Sequence, residues 1–386
     1  MDNRNENNMS RCLLFRTLVA LAVAATGLPM PAPASAAEAN IPVLVPLTGF
    51  LSTEGTSQRN GAVLALKSAP PSVKVTYDVE DTGTSPETAV NALERAASDG
   101  HATAVAASML GTQMLAMMPI ALQYKVPLIT VSGTAAITQQ NNPYIFRFFP
   151  GDAVVKRAQV AFALEERHVK RPAILYQTDA YGQSGDAEML KALKQYGIAP
   201  VYEDGLDTSV KDMVPTLSKA KAAGADSLLL QLHGASTALL LKAAATMNLG
   251  MSIVSGSAIS QPSVAALLDP KELAGVCGET GSSPLSAETP DMRKFLADYR
   301  KAFNTEPDAF AVGQYDGIAM TLDAVAHGAK TAADVTKALS TMSYKGLAMT
   351  YKSNGRGDMA HSAVIICYDG KSRVPQVAKH YEYPGD

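Results

Sequence analysis

The chain is 386 residues long, with 47% hydrophobic and 18% charged residues and a formal net charge of −3. This length excludes a small stapled module and is typical of one large two-lobed unit or about two domains. The composition excludes the disordered and fibrous classes, and the balanced charge gives no electrostatic reason to expect nucleic acid or an anionic membrane surface as a partner.

Residues 1–36 have the pattern of a secretory signal peptide. Three arginines lead into the apolar run 18–28, and the small-residue site Ala34-Ser35-Ala36 follows. We expect cleavage before Ala37 and release into the periplasm. The apolar run is too short to span a bilayer without its flanks. Cys12 is not preceded by the small apolar residues of a lipoprotein signal, so we expect no lipid anchor.

Strand-length apolar runs then alternate with helix-period segments, which predicts an α/β fold with parallel sheets and crossover helices. Ser85 is predicted to cap one helix, because it precedes Pro86 and can accept a hydrogen bond from a free amide of the first turn. The elements predicted for a first doubly wound lobe are strands 42–47, 73–79, 103–107 and 127–131 and helices 58–67, 86–97 and 112–123.

A second set of elements has the same plan and predicts a second lobe. Its elements are strands 173–176, 199–202, 227–232 and 253–254 and helices 188–195, 213–222 and 235–247. Helices 290–303 and 308–327 have no strand between them and are predicted to return to the first lobe. The chain is predicted to end in a hairpin between 347–351 and 363–368. The predicted limits are 37–150 and 281–345 for the first lobe, 151–280 for the second, and 346–386 for the hairpin, the hinge and the rest of the second lobe.

Cys277 and Cys367 are the two cysteines left after removal of the leader, and each lies in an apolar, strand-like run, the first of them 273–277. An oxidising compartment would allow them to form a disulfide, and two buried free thiols are the alternative. Neither cysteine has the setting of a catalytic thiol or a zinc site.

Signatures of catalysis and of cofactors are missing from the sequence. No G-x-G-x-x-G follows the first predicted strand, no G-x-x-x-x-G-K-[ST] is present, and Ser184 is not framed as a G-x-S-x-G elbow. The six histidines have no metal-ligand spacing. The sequence therefore gives no support to a nucleotide cofactor, a metal site or a catalytic serine, and we expect a protein that is not an enzyme.

Small polar residues follow the predicted strands at their carboxyl ends, where open α/β sheets bind ligands. Ser108 follows the third strand, and Ser132-Gly133-Thr134 follows the fourth, each before a helix whose free amides can hold a carboxylate. His233 and Ser257 follow strands of the second set, and Tyr181 offers a ring and a hydroxyl that could cover a ligand. Each residue is also typical of an ordinary helix cap or turn.

Five motifs occur in a fixed order along the mature chain: Pro46-Leu47-Thr48-Gly49, Pro119-Ile120-Ala121 leading to Val126-Pro127-Leu128-Ile129, Tyr144-Ile145-Phe146-Arg147, Asp179-Ala180-Tyr181-Gly182 and Gln314-Tyr315-Asp316-Gly317. With this order and spacing the chain resembles the periplasmic solute-binding proteins of the branched-chain amino acid (leucine/isoleucine/valine) type, which feed ABC importers. The resemblance implies two Rossmann-like lobes joined by a three-stranded hinge, the type I periplasmic binding fold. It also implies a monomer without a cofactor that closes on one small solute and delivers it to the importer's permease.

Carried over by position, the resemblance implies that Ser108-Met109-Leu110 and Ser132-Gly133-Thr134 hold the ligand carboxylate and that Tyr181 closes from the second lobe. The amino-acid binders place an acidic partner for the ligand ammonium in the second lobe, and the equivalent stretch 255–258 has none. Glu54, in the first predicted loop, could supply that charge or point to solvent. The family's usual disulfide in the first lobe is also missing.

Two classes of ligand therefore stay open at this point. One is a branched-chain or other neutral amino acid with Glu54 as ammonium partner, and the other, slightly favoured by the missing acid, is an aromatic or aliphatic acid or amide without an ammonium. A ligand-sensing subunit of a membrane receptor is the alternative to a transport protein, because both use the same closed surface.

Overall fold

The computed structural model describes residues 36–285 and 288–383. Residues 1–35, and with them most of the predicted signal peptide and Cys12, lie outside this range. Within the described residues, no helix combines the length and the apolar character needed to span a bilayer.

The first lobe is built on a sheet of five parallel strands. In chain order its elements are β1 (Ala37–Asn40), β2 (Val43–Val45), α1 (Ser52–Lys67), β3 (Val73–Thr76), β4 (Val79–Asp81), α2 (Pro86–Ala97), β5 (Val105–Ala107), α3 (Gly111–Tyr124), β6 (Leu128–Thr130), α4 (Ala136–Gln139) and β7 (Ile145–Arg147). The strand order is β4-β2-β5-β6-β7, and β1 pairs separately with β3. Because the five strands are parallel, the loops before α1, α3 and α4 meet at one sheet edge.

The chain then enters a second lobe of similar plan. Its elements are α5 (Asp152–Ala161), β8 (Pro172–Gln177), α6 (Ala180–Gln195), β9 (Tyr202–Leu206), α7 (Val214–Ala222), β10 (Ser227–Gln231), α8 (Gly234–Thr246), β11 (Ser252–Ser255), α9 (Pro262–Ala265) and β12 (Cys277–Thr280). Strands β8 to β12 are parallel to one another. Their carboxyl ends bring the starts of α6 and α8 to one edge.

The chain returns to the first lobe and then crosses once more. The remaining elements are α10 (Pro290–Phe303), α11 (Ala309–Ala326), α12 (Ala332–Thr341), β13 (Ser343–Lys345), β14 (Thr350–Lys352), β15 (Ser362–Cys367) and β16 (Gln376–Glu382). Helix α11 shares the first lobe's core through Phe310 and Ile318, whereas β15 and β16 complete a seven-stranded sheet in the second lobe, ordered β16-β15-β12-β11-β10-β8-β9. The predicted α/β fold with two doubly wound lobes is confirmed.

Some helices start at the predicted residue and others do not. Helix α2 starts at Pro86 as predicted, and Ser85 Oγ accepts a hydrogen bond from Thr88 N at 3.4 Å. Helix α1 starts at Ser52 instead of residue 58, so the prediction that Glu54 lies in a loop is wrong. Helix α6 starts at Ala180 instead of residue 188, because Asp179 caps it by accepting from Gly182 N at 3.0 Å.

The predicted C-terminal hairpin is wrong. Strand β14 pairs with β13, and its Tyr351 is buried in the core of the first lobe. Strand β15 pairs instead with β12 on one side and β16 on the other, both antiparallel. The glycine-rich turn 353–357 therefore carries the chain from one lobe to the other. Helix α12 was not predicted.

Cys277 and Cys367 form a disulfide and are directly opposite each other on β12 and β15, with their Cα atoms 4.0 Å apart. The structure therefore contains the disulfide and not the two buried free thiols. The predicted strand over 273–277 begins only at Cys277, because Pro270–Leu273 forms a short 3-10 helix.

Asp316 lies inside α11, where burial raises the pKa of its carboxyl from 3.8 to about 7 although Leu347 N and Tyr351 donate hydrogen bonds to it. A raised carboxyl pKa means that the folded protein binds this proton more tightly than the unfolded chain. The protonated carboxyl therefore makes its whole contribution to the free energy of unfolding below pH 4, and this contribution is lost as the pH rises towards 7. The Asp316→Asn variant lacks this titration. We therefore expect its free energy of unfolding, relative to that of the wild type, to increase by roughly 2–4 kcal/mol from pH 4 to pH 8. Urea unfolding at both pH values measures this difference, and equal pH dependence of the two proteins would contradict it.

Candidate functional site

A cavity lies between the two lobes, where the carboxyl ends of both sheets face each other. Its volume is about 480 Å³, including the part open to solvent. Its apolar lining is Leu51, Met109, Leu110, Val131, Phe149, Ala258 and Phe310, and its other lining residues are Glu54, Gly133, Asp152, Tyr181, His233, Ser257 and Gln261.

The structure brings most of the predicted site residues together. Seven of the ten line the cavity, namely Glu54, Met109, Leu110, Gly133, Tyr181, His233 and Ser257. Ser108, Ser132 and Thr134 are buried in the same two loops of the first lobe but are not part of the lining. Their contacts with a ligand stay predictions.

The Ser108 loop is held by the first lobe itself. Ser108 Oγ donates to Gln113 Oε1 at 2.6 Å and accepts from Leu110 N at 3.1 Å. Met109 N donates to Gln58 Oε1 at 3.1 Å. These groups are already engaged, so the loop is suited to shaping the cavity wall with the side chains of Met109 and Leu110.

The turn after β6 offers free hydroxyl groups. Ser132 Oγ and Thr134 Oγ1 are buried, and neither has a hydrogen-bond partner among the described residues. Thr134 packs on the start of α3 so closely that a Cβ on Gly111 would lie 2.1 Å from its Oγ1. Buried hydroxyls beside a helix N-terminus are suited to a carboxylate, because both supply hydrogen-bond donors and the helix dipole favours negative charge.

Arg147, the last residue of β7, fixes this turn from below. It is 3% exposed, and its Nη1 donates to the carbonyl oxygens of Gly133 and Thr134 at 3.0 and 2.9 Å. Its Nε donates to Asp358 Oδ1 at 2.7 Å, on the segment that leads to β15. One buried guanidinium therefore ties the turn after β6 to the segment by which the chain crosses between the lobes.

The second lobe contributes an aromatic wall. The rings of Tyr181 and His233 stack with centroids 4.9 Å apart, and Phe50 of the first lobe lies 5.2 Å from the His233 ring. His233 Nε2 lies 2.7 Å from Asp179 Oδ2, which fixes the imidazole. Burial raises the pKa of Tyr181 well above its ordinary value, so its hydroxyl stays protonated and can donate.

Asp152 is a cavity residue that the sequence analysis missed. It is the first residue of α5 and is 2% exposed. Its Oδ1 accepts from Gln231 Nε2 at 3.3 Å, whereas its Oδ2 is buried without a partner in the described residues. Burial raises its pKa to about 7, and the charge of Lys156 opposes this shift. An acid directly after Pro150-Gly151 was the available signal, but it is also an ordinary helix start.

A buried ion pair lies behind Ser257. Lys156 Nζ donates to Glu279 Oε1 at 2.5 Å and to Gln159 Oε1 at 3.0 Å. Ser257 N also donates to Glu279 Oε1, at 3.0 Å. The stretch 255–258 has no acid of its own, but Asp152 and Glu279 bring carboxylates to this side of the cleft. The charge of Glu279 is already balanced by Lys156, so Asp152 is the carboxylate that this side adds to the cavity lining.

Glu54 does not point to solvent. It is 5% exposed, and its Oε1 accepts a hydrogen bond from Gly234 N, at the start of α8 in the second lobe, at 3.1 Å. Burial raises the pKa of Glu54, and the charge of His233 opposes this shift. Glu54 therefore joins the two lobes as well as lining the cavity.

Metal-binding side chains do not cluster in this part of the chain. No group of three or more His, Cys, Asp or Glu residues within 36–285 and 288–383 is arranged to hold a metal ion.

The chain matches the model of a family described as periplasmic binding protein over residues 38–369. The leucine-, isoleucine-, valine-, threonine- and alanine-binding protein of Pseudomonas aeruginosa is 25% identical over 274 residues, or 69% of this chain and 72% of that protein. A leucine binding protein, LivK, of Thermotoga maritima has a TM-score of 0.81 at 21% identity, covering 90% of this chain and 99% of that chain. A solute binding protein of an ABC transporter from Rhodopseudomonas palustris, in complex with 3,4-dihydroxybenzoic acid, has a TM-score of 0.81 at 20% identity, with the same coverage. The two-lobed fold, the cleft and the match over most of the chain agree, and the chain belongs to the periplasmic binding protein family.

Proposed function

We propose that the protein is the extracytoplasmic solute-binding component of an ABC importer, which captures a small carboxylate-bearing solute between its lobes and delivers it to the permease. The observation that carries this proposal is the cavity between the lobes, which Asp152 lines with a buried carboxylate oxygen that has no partner among the described residues. The unpaired hydroxyls of Ser132 and Thr134 belong to the first-lobe turn whose Gly133 lines the same cavity. Such a site binds and releases a solute without chemistry.

The first lobe supplies the carboxylate half of the proposed site. Thr134 Oγ1 lies against Gly111 at the start of α3, and the unpaired hydroxyl of Ser132 belongs to the same turn. A buried hydroxyl without a partner is unfavourable, and a ligand carboxylate would satisfy both hydroxyls together. The turn held by Arg147 keeps these donors in place before the ligand arrives, which lowers the entropy cost of binding.

Asp152 is proposed as the partner of a ligand ammonium. Its Oδ2 is buried and unpaired, and a cation beside it would favour the ionised carboxylate against the effect of burial. The apolar lining of Leu110, Val131 and Phe310 suits an aliphatic or aromatic side chain. We therefore propose a neutral amino acid with an apolar side chain as the ligand, with Asp152 in the role first considered for Glu54.

The test is isothermal calorimetry of the mature protein with L-leucine, L-isoleucine, benzoate and 4-hydroxybenzoate. We expect the amino acids to bind and Asp152→Asn to weaken them by about 100-fold, because a buried ammonium would lose its charged partner. Asp298→Asn, an exposed acid on α10, is the matched control and should leave the affinities unchanged. Binding of the acids alone, with no effect of Asp152→Asn, would transfer the proposal to an acid without an ammonium.

A further inference from the structure

Glu54 contacts the other lobe through a fixed geometry. It lies in the first turn of α1 in the first lobe, and its Oε1 accepts from Gly234 N, the first residue of α8 in the second lobe. A carboxylate at a helix start interacts favourably with the positive end of the helix dipole. Since the two residues belong to different lobes, rotation about the hinge separates them.

The approach of Glu54 to α8 requires a glycine. A Cβ on Gly234 would lie 2.7 Å from Glu54 Oε1 and 2.6 Å from Val264 Cγ2. Both distances are well below ordinary van der Waals contact, so a larger residue at 234 would displace the Glu54 carboxylate and, within the second lobe, Val264. The position of Gly234 is therefore matched to closure against Glu54.

Two further contacts cross the cleft. Gln261 Nε2 of the second lobe donates to Asp308 Oδ2 of the first lobe at 3.0 Å. On another side of the cavity, Ala135 N of the first lobe donates to Ser184 Oγ at 2.8 Å. The Gln261 contact also places a carboxylate across the cleft, but Asp308 accepts hydrogen bonds from Ser57 Oγ and Ala311 N of its own lobe as well. Glu54 instead accepts from a backbone amide at the start of a helix of the opposite lobe, where the helix dipole adds to the contact, so we expect its loss to change closure most.

We propose that Glu54 is a closure latch: its hydrogen bond to Gly234 stabilises the closed arrangement for every ligand, so that it sets how long a solute is held and not which charge the solute carries. This inference rests on the proposed solute-binding function. It differs from a role as ammonium partner, since an ammonium partner affects only ligands that carry an ammonium, whereas a latch affects all bound ligands alike.

The test compares Glu54→Gln, Glu54→Ala and Gly234→Ala with the control Glu87→Gln, an exposed acid in the first turn of α2. Dissociation of L-leucine and of benzoate is followed by stopped-flow fluorescence, and small-angle scattering gives the radius of gyration without added ligand. We expect about tenfold faster dissociation of each bound probe with Glu54→Ala and Gly234→Ala, a smaller change with Glu54→Gln and none with the control.

A change common to the bound probes, or a larger radius of gyration in the ligand-free Glu54→Ala protein, supports the latch. Slower or unchanged dissociation together with an unchanged radius of gyration overturns it, and so does faster dissociation of leucine without faster dissociation of benzoate when both probes bind the wild type. Thermal unfolding of each variant without ligand shows whether it is folded. If neither probe binds the wild type, the proposed ligand class fails, and the scattering comparison alone decides on the latch.

Discussion

Arg147→Met is expected to lower the free energy of unfolding by roughly 3–5 kcal/mol, because it removes a buried charge and leaves its partners unpaired. Asp358 would keep a carboxylate without its cation, and the carbonyl oxygens of Gly133 and Thr134 would lose their donors. Urea unfolding followed by circular dichroism measures the loss. Ligand affinity should fall as well, since the turn that holds Thr134 would no longer be fixed.

Arg95→Met is the matched control for this change. Arg95 pairs with Glu80 on the surface, where its side chain is 60% exposed, and exposed pairs contribute about 0–1 kcal/mol. Losses of similar size at Arg95 and Arg147 would show that the buried network does not support the fold as argued. Adding Asp358→Asn to Arg147→Met should recover part of the loss, because the second change removes the uncompensated charge.

Replacing both Cys277 and Cys367 with alanine is expected to cost about 4–5 kcal/mol of stability, since the disulfide closes a loop with a sequence separation of 90 and limits the freedom of the unfolded chain. The thermal midpoint should fall by on the order of 5–10 °C. Differential scanning calorimetry of the variant beside the oxidised wild type measures this shift.

The wild type with its disulfide reduced is the control for the alanine variant. Both should melt at the same lower temperature, because each lacks the same constraint. Neither cysteine lines the cavity. At temperatures well below the thermal midpoint, the ligand affinity should therefore equal that of the wild type. A midpoint that does not change in either protein would mean that the link between β12 and β15 is not needed for stability.

Helices with strong local signals could be predicted from the sequence. Helix α2 begins at Pro86 because a serine cap, a proline and an acid follow one another, and these signals act within one turn. The start of α6 was missed because glycines at 182 and 185 have low helix propensity. The structure needs both: a Cβ on Gly182 would lie 1.8 Å from Gln177 O, and one on Gly185 would lie 2.3 Å from the Gln231 side chain. That requirement comes from tertiary packing.

The candidate site could be predicted only in part for the same reason. Their positions directly after predicted strands indicated Gly133, Tyr181 and His233, since parallel strands bring their carboxyl ends together. Asp152 and Gln261 were missed because, in the sequence, each looks like an ordinary residue at a helix start. Only the folded second lobe places them at the cavity. The C-terminal hairpin was wrong since a glycine-rich turn does not show whether the next strand pairs with its neighbour or with a strand far back in the chain.

The return of the chain to the first lobe affects the order in which the molecule can be built. Phe310 and Tyr351 complete the core that α1 begins, and β15 and β16 complete the sheet that β8 begins. A polypeptide synthesised from its N-terminus can therefore finish neither lobe until almost all of it has left the ribosome. Contacts between such distant segments also form slowly. The nascent chain thus stays without a complete core for longer than two consecutive domains would.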